Sequence, residues 1–135
     1  MMKLALPGDL RLEIAAAART ALPRECCGLI LGTRVRTDGH ALALYPARNA
    51  AVRSDRFEID PADHFAALRT ARATGQQVIG CYHSHPDGLA WPSATDHAGA
   101  GEEYFFWLIA GAAEFAAFIY LNGEFVGVDL VTSSS

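Results

Sequence analysis

Tyr104-Phe105-Phe106-Trp107-Leu108-Ile109-Ala110-Gly111-Ala112-Ala113-Glu114-Phe115-Ala116-Ala117-Phe118-Ile119-Tyr120-Leu121 is nearly unbroken apolar sequence. Its 18 residues approach the length of a membrane-spanning helix, which needs about 20. Three features argue for two core strands instead. Glu114 stands inside the run, Gly111 offers a turn, and Asn122-Gly123 follows directly, the strongest short hairpin signal available. The run divides into strands at 105–110 and 115–121, with a third strand at 124–130 returning across Asn-Gly. This reading turns the chain into a sheet protein and removes the membrane span.

Working outward, 27–35 reads as a buried strand, because Gly-Leu-Ile-Leu-Gly is too apolar and short for a surface helix. A second strand, 41–45, pairs with it as a hairpin across Thr37-Asp38-Gly39. Residues 77–83 form another. Asp9 is placed to N-cap a helix through Leu-Arg-Leu-Glu-Ile-Ala-Ala-Ala-Ala, stopped by Pro23. Asp60-Pro61 opens a second helix to Ala73 that ends at Gly75. Residues 85–92 carry two prolines and a glycine and form a loop, and 93 onward is helical for two turns. The expected fold is a single-domain α/β structure: a mixed, mostly antiparallel sheet flanked by two or three helices. The domain spans 1–132, and Ser133-Ser134-Ser135 frays.

Composition sets limits on function. The chain has 135 residues, 51% hydrophobic and 19% charged, enough to bury a core. Eleven Lys+Arg against fifteen Asp+Glu give a formal charge of −4, which argues against nucleic acid as partner, since phosphate binding needs a basic face. Three cysteines are an odd number, and Cys26 and Cys27 are adjacent, a poor arrangement for a mutual disulfide. The N-terminus lacks a long apolar segment of signal-peptide type. A reducing, cytoplasmic location and no membrane partner are expected.

The chemistry concentrates in Tyr82-His83-Ser84-His85-Pro86-Asp87-Gly88-Leu89-Ala90-Trp91-Pro92-Ser93-Ala94-Thr95-Asp96. His83 and His85 lie two apart at a strand end, so a period of two puts both imidazoles on one face. Asp96 lies one turn into the next helix, within reach of that pair. Two neutral imidazoles and a carboxylate bind Zn²⁺ and leave a fourth position for water, the arrangement of catalytic rather than structural sites. Each residue has a plainer reading. His85 before Pro86 fits a loop histidine, and Ser93-Ala94-Thr95-Asp96 fits a capping box that merely starts a helix. The joint pattern H-x-H-P-x(6)-P-S-x-x-D decides for the metal, arising by chance less than about once in 10⁷ start points.

His83-Ser84-His85-Pro86, Pro92-Ser93 and Asp96 resemble the JAMM motif of the JAMM/MPN+ zinc metalloproteases. Upstream, Pro23-Arg24-Glu25-Cys26-Cys27-Gly28-Leu29-Ile30-Leu31-Gly32 also resembles that family, where a glutamate precedes the first long strand. The likeness is closest to the short stand-alone prokaryotic members. It implies that His83, His85 and Asp96 hold one zinc per chain, that Glu25 is the general base, and that Ser93 steadies the oxyanion. It also implies a substrate class: a ubiquitin-like or sulfur-carrier protein with a C-terminal Gly-Gly tail, whose peptide or isopeptide bond is cut. Glu25 read by itself is a solvated residue between a helix and a strand.

Weaker signals surround this core. Cys81 shares the strand face of His83 and is either a fourth ligand or a small buried hydrophobe, the commoner role. One of Cys26 and Cys27 faces the core. His97 follows Asp96 directly and points about 100° away; His40 and His64 are surface residues. Trp91 either walls the cleft or plugs its loop onto the core. Arg48, Arg53 and Arg56 lie in a solvated loop, and 52–57 forms a short substrate-facing loop. Seven residues separate His85 from Ser93, which leaves a small, unelaborated cleft. The apolar strands at 104–121 offer edges for pairing with a second subunit. A zinc deaminase would use H-x-E with P-C-x-x-C, which this sequence lacks. The alternative from another class is a non-catalytic MPN-type protein-interaction module.

Overall fold

The computed structural model describes residues 2–133. Seven strands and three helices follow in the order β1 (Lys3–Pro7), α1 (Gly8–Ala21), β2 (Cys27–Val35), β3 (Asp38–Ala47), α2 (Pro61–Ala73), β4 (Gln77–Ser84), α3 (Ala94–Gly99), β5 (Phe106–Ala110), β6 (Phe115–Leu121) and β7 (Glu124–Ser133). The strands pair in the order β1-β3-β2-β4-β5-β6-β7, and β7 pairs back onto β1 to close a barrel. Four pairings are antiparallel and three parallel, namely β1/β3, β1/β7 and β4/β5. The expected mixed, mostly antiparallel sheet is present, but it closes on itself. Closure removes the free edges expected along 104–121, because β5 and β6 each have neighbours on both sides. No helix among the described residues is long and apolar enough to cross a membrane.

Several local expectations shift. β1 was not expected from the sequence; its alternation buries Leu4 and Leu6. It feeds directly into α1, so the N-cap is Pro7 and no side chain caps the helix. Asp9 falls instead in the first turn, where its charge meets the positive end of the helix dipole. The β2/β3 hairpin turns at Arg36-Thr37, with Arg36 at φ 58, and His40 lies within β3 rather than in a turn. Ser133 belongs to β7, paired with Pro7; the expected fraying of Ser134 and Ser135 lies outside the described residues. α2 begins as read, with the Asp60 side chain accepting from Ala62 N–H and Pro61 in the first turn.

Period two sends alternate strand residues into two cores. Ile30, Tyr82, Phe106 and Leu108 join Leu10 and Ile14 of α1 in the first. Leu29, Leu31, Cys81, Trp107 and Ile109 join Ala67 and Ala71 of α2 in the second. Gly28 and Gly80 permit the closest approaches. A Cβ on Gly28 would lie 2.4 Å from the Tyr82 ring, and one on Gly80 2.4 Å from the Phe106 carbonyl oxygen. β4 is thus pressed between β2 and β5, and its last odd-numbered residues, Cys81 and His83, face the second core.

Candidate metal centre

β4 ends at Ser84 and runs parallel to β5, so the chain must cross back before β5 begins. The crossover holds His85, the proline-containing loop and α3. His83 is fully buried and His85 half-buried. Their Nε2 atoms lie 3.0 Å apart. Asp96 Oδ2 lies 3.1 Å from His83 Nε2 and 3.2 Å from His85 Nε2. The structure thus brings together all three residues expected to be ligands.

The capping box is also present, and it aims the carboxylate. Asp96 N–H donates to Ser93 Oγ at 3.0 Å, and Ser93 N–H donates to Asp96 Oδ2 at 2.9 Å. The two readings of Ser93 and Asp96 hold together. His85 is oriented by its other nitrogen: Nδ1 faces the Leu89 carbonyl at 3.0 Å. A carbonyl only accepts, so Nδ1 carries the proton and Nε2 presents a lone pair.

His83 has no such partner. Its Nδ1 is buried and without a hydrogen bond. With the proton there, His83 Nε2, His85 Nε2 and Asp96 Oδ2 face one another with lone pairs alone, which a cation relieves. Bonds of 2.0–2.1 Å in a tetrahedron put ligand atoms roughly 3.3–3.4 Å apart, close to the 3.0–3.2 Å found. The donor set and spacing fit Zn²⁺.

Electrostatics divide the two acids. Burial would raise the Asp96 carboxyl, but in the metal-free chain the adjoining His83 and His85, whenever either takes up a proton, and the Ser93 N–H outweigh it and hold it well below the usual carboxylate range. Burial pushes Glu25 up to about 7, with His85 pulling down and Asp96 and Asp55 adding to the rise. Burial likewise keeps His83 neutral by lowering its pKa. Glu25 is 6% exposed rather than solvated. A carboxylate oxygen of Glu25 lies within 4.8 Å of both imidazoles, and Oε1 is buried without a partner.

Glu25 precedes β2, and two features missed in the sequence support the site, one beside Glu25 and one on His83. Ser84 occupies the position between the histidines and points to the opposite face, where it is 1% exposed. Its Oγ accepts from Cys26 N–H at 2.8 Å and its N–H donates to the Cys26 carbonyl at 3.2 Å. A hydroxyl on the inward face of a buried strand was the available signal. Phe57 stacks on the His83 ring at 4.2 Å and 20°, and Trp107 meets both rings edge-on at 5.8 Å. Nothing in the local pattern of the 48–58 loop marks Phe57 for that contact.

A cavity of about 660 Å³ opens beside the cluster, with Phe57, Trp107, Thr95, Asp96, Arg56 and His64 among its walls. His64 therefore lines this cavity. A second groove of about 410 Å³ borders His85; Ala15, Ala18, Ala110 and Gly111 line it together with Arg11, Arg19 and Glu114. Trp91 is 64% exposed and lies 6.0 Å from the Phe118 ring; it covers β6 and lines neither space. Cys81 is buried in the second core, outside the ligand cluster. Cys26, Cys27 and Cys81 are free and buried, and burial raises each thiol. His97 meets Phe125 rather than the cluster. Arg53 and Arg56 both pair with Asp55, and Arg48 with Asp60.

Comparison with known proteins agrees with this geometry. Residues 7–120 match the Prok-JAB family, the prokaryotic homologues of the JAB domain. The chain is 33% identical over 113 residues to the desampylase of Haloferax volcanii, covering 79% of each chain. It is 34% identical over 99 residues to the deubiquitinase BRCC36 of Xenopus tropicalis, covering 67% of this chain and 38% of that protein. A solution structure of a protein from Desulfitobacterium hafniense superposes with a TM-score of 0.88 at 29% identity, covering 100% of this chain and 94% of that one. A JAB1/MPN domain protein from Archaeoglobus fulgidus, 21% identical with a TM-score of 0.55 over 97% of both chains, shares the fold. The chain therefore belongs to the Prok-JAB family, within the JAMM/MPN group that its histidine and aspartate motif resembles.

Proposed function

We propose that this chain is a zinc metallopeptidase that hydrolyses the peptide or isopeptide bond at the C-terminal Gly-Gly of a small ubiquitin-like or sulfur-carrier protein. The observation that carries the reading is the convergence of His83, His85 and Asp96 within 3.2 Å beside a buried Glu25 whose Oε1 has no partner. The names of the desampylase and deubiquitinase relatives support the substrate class. His83, His85 and Asp96 would hold the zinc through Nε2, Nε2 and Oδ2. When bound there, the ion supplies a Lewis acid that makes water acidic and polarises a carbonyl.

The remaining roles belong to the chain. Glu25, with its pKa raised to about 7, is matched to taking a proton from the attacking water and returning it to the leaving amine. Ser93 Oγ spends a lone pair on Asp96 N–H, which leaves its own proton free to meet charge developing on the carbonyl oxygen. The groove beside His85, lined by alanines and Gly111 together with Arg11, Arg19 and Glu114, suits a tail without side chains. The larger cavity, with Arg56 and His64 in its wall, suits the group on the other side of the scissile bond.

The test begins with metal. Elemental analysis of the purified chain should give about one zinc, lost in His83→Ala/His85→Ala. Gly-Gly-tailed carriers joined to a peptide or amine should then be cleaved, with chelator abolishing turnover. Glu25→Gln should keep zinc and lose turnover by roughly 10²- to 10⁴-fold. No zinc after reconstitution with equimolar Zn²⁺ would overturn the reading. Zinc with partner binding but no turnover in either form would identify an interaction module.

A further inference from the structure

We propose that Asn49 is a positioning residue of this site: its side-chain amide clamps the main chain of Glu25 to the loop that lays Phe57 on His83. Asn49 follows β3 and is bridged to Ile59. Its Nδ2 donates to the Glu25 carbonyl at 3.0 Å and to the Arg56 carbonyl at 3.1 Å. Its Oδ1 accepts from Ala51 N–H at 2.9 Å and from Glu58 N–H at 3.0 Å. An asparagine amide has two N–H donors and two acceptor lone pairs, and all four are engaged. The partners also fix which end is which, since two are carbonyls and two are N–H groups. No side chain other than an amide supplies both senses in this planar fork.

The bonds join parts of the site that the backbone leaves separate. Glu25 stands before β2, whereas residues 50–58 form an excursion between β3 and α2. One further main-chain bond, Ala50 N–H to the Glu58 carbonyl at 2.8 Å, narrows the neck of that excursion, and the Arg24 guanidinium donates to the Ala51 carbonyl within it. Phe57 lies between Arg56 and Glu58, two of the four residues whose main chain Asn49 holds. Fixing the backbone on both sides of Phe57 fixes its ring on His83 and its edge against Trp107. The amide acts on Glu25 and His83 through these contacts and touches neither functional group.

The test uses the two tryptophans. In Trp91→Phe, Trp107 is the sole tryptophan, 6% exposed and packed against Phe57. Asn49→Asp keeps the acceptors and loses both donors, placing a carboxylate against the Glu25 and Arg56 carbonyls. Asn49→Ser, which introduces no buried charge, is measured beside it. In the zinc-loaded protein, acrylamide quenching of Trp107 should rise at least about twofold in either variant as the loop frees, with zinc still bound at one per chain. Adding Phe57→Ala should erase the difference between Asn49 and its variants, because the loop then no longer covers Trp107.

The kinetic arm rests on Glu25 acting as base. On a Gly-Gly-tailed carrier, kcat should fall by about 10²-fold, the cost of misplacing a group by an ångström, with KM changing far less. Unchanged Trp107 quenching in folded Asn49→Ser overturns the clamp whatever the turnover. A quenching change in a protein whose wild type cleaves no such carrier sustains the clamp and overturns the function assigned to Glu25. A rise in KM alone with kcat intact overturns positioning of the base.

Discussion

Ser93 tests whether one hydroxyl serves the helix, the reaction or both. Its Oγ accepts from Asp96 N–H, while its main-chain N–H donates to Asp96 Oδ2. Ser93→Ala removes the first bond and leaves the second, so the carboxylate stays aimed at the histidines and zinc content should hold at one per chain. Loss of the cap costs about 1 kcal/mol, a fall in Tm of roughly 4 °C for a domain this size. Loss of an oxyanion donor costs about 10²- to 10³-fold in kcat. The first cannot cause the second, because about 1 kcal/mol leaves a protein of ordinary stability almost wholly folded.

Ser93→Gly separates the effects further. Glycine costs only a few tenths of a kcal/mol at an N-cap, yet it supplies no hydroxyl. Turnover should therefore be equally low in Ser93→Ala and Ser93→Gly, while Tm falls only in the former, and Ser93→Thr should retain both. The assay is cleavage of a Gly-Gly-tailed carrier by zinc-loaded protein, with Tm and zinc measured on the same samples. Near-normal turnover in Ser93→Gly would refute the oxyanion role and leave Ser93 a cap.

Asp96→Glu keeps a residue suited to the capping box but moves the oxygens by one methylene; zinc affinity should fall by more than about 10-fold in a chelator competition while Tm of the metal-free chain holds. In the metal-free chain Glu25 ionises near about 7 when folded and 4.5 when unfolded. Between those values the folded state binds the extra proton, so stability falls as pH rises. Denaturant unfolding of wild type minus Glu25→Gln should slope downward across that window and level off above it; no slope would show that the Glu25 pKa is not raised in the folded chain. Ser84→Ala strands the buried Cys26 N–H and should cost about 1–3 kcal/mol by urea unfolding. Gly80→Ala puts a methyl group 2.4 Å from the Phe106 carbonyl oxygen and should cost roughly 1–3 kcal/mol as β4 and β5 part; an unchanged Tm would contradict their register.

What was legible in the sequence had a local cause. Strands 27–35 and 115–121 appear at the expected bounds because buried apolar runs between turn residues admit little else. Asp60-Pro61 marks the start of α2 through cap chemistry confined to three residues. His83 and His85 needed only strand periodicity, and Asp96 only a cap. What escaped depends on distant partners. β1 is five residues long, and its neighbours are β3 and the chain's far end. Barrel closure follows from that pairing and cancels the edge that 104–121 suggested. Asn49 sits in a segment rich in alanine and arginine, and its tie to the site depends on the approach of Glu25 across 24 residues. The Leu89 carbonyl that sets the His85 tautomer is likewise visible only once the loop is folded.

The parallel pairing of β4 and β5 explains why cap and proposed ligand coincide. Parallel neighbours cannot be joined by a hairpin, so the chain leaves the end of β4 and must return before β5 starts. α3 turns that excursion round, and its N-terminus faces the strand end it departed from. Side chains on a helix lean towards its N-terminus, so Asp96, in the first turn, leans back at His83 and His85. The main-chain N–H of Ser93 then fixes Oδ2, making the rotamer of the proposed ligand part of starting the helix. A helix start and the proposed metal ligand at one pair of residues are thus one geometric solution. The plainer reading of Ser93 and Asp96 supplies the mechanism by which the sharper one is positioned.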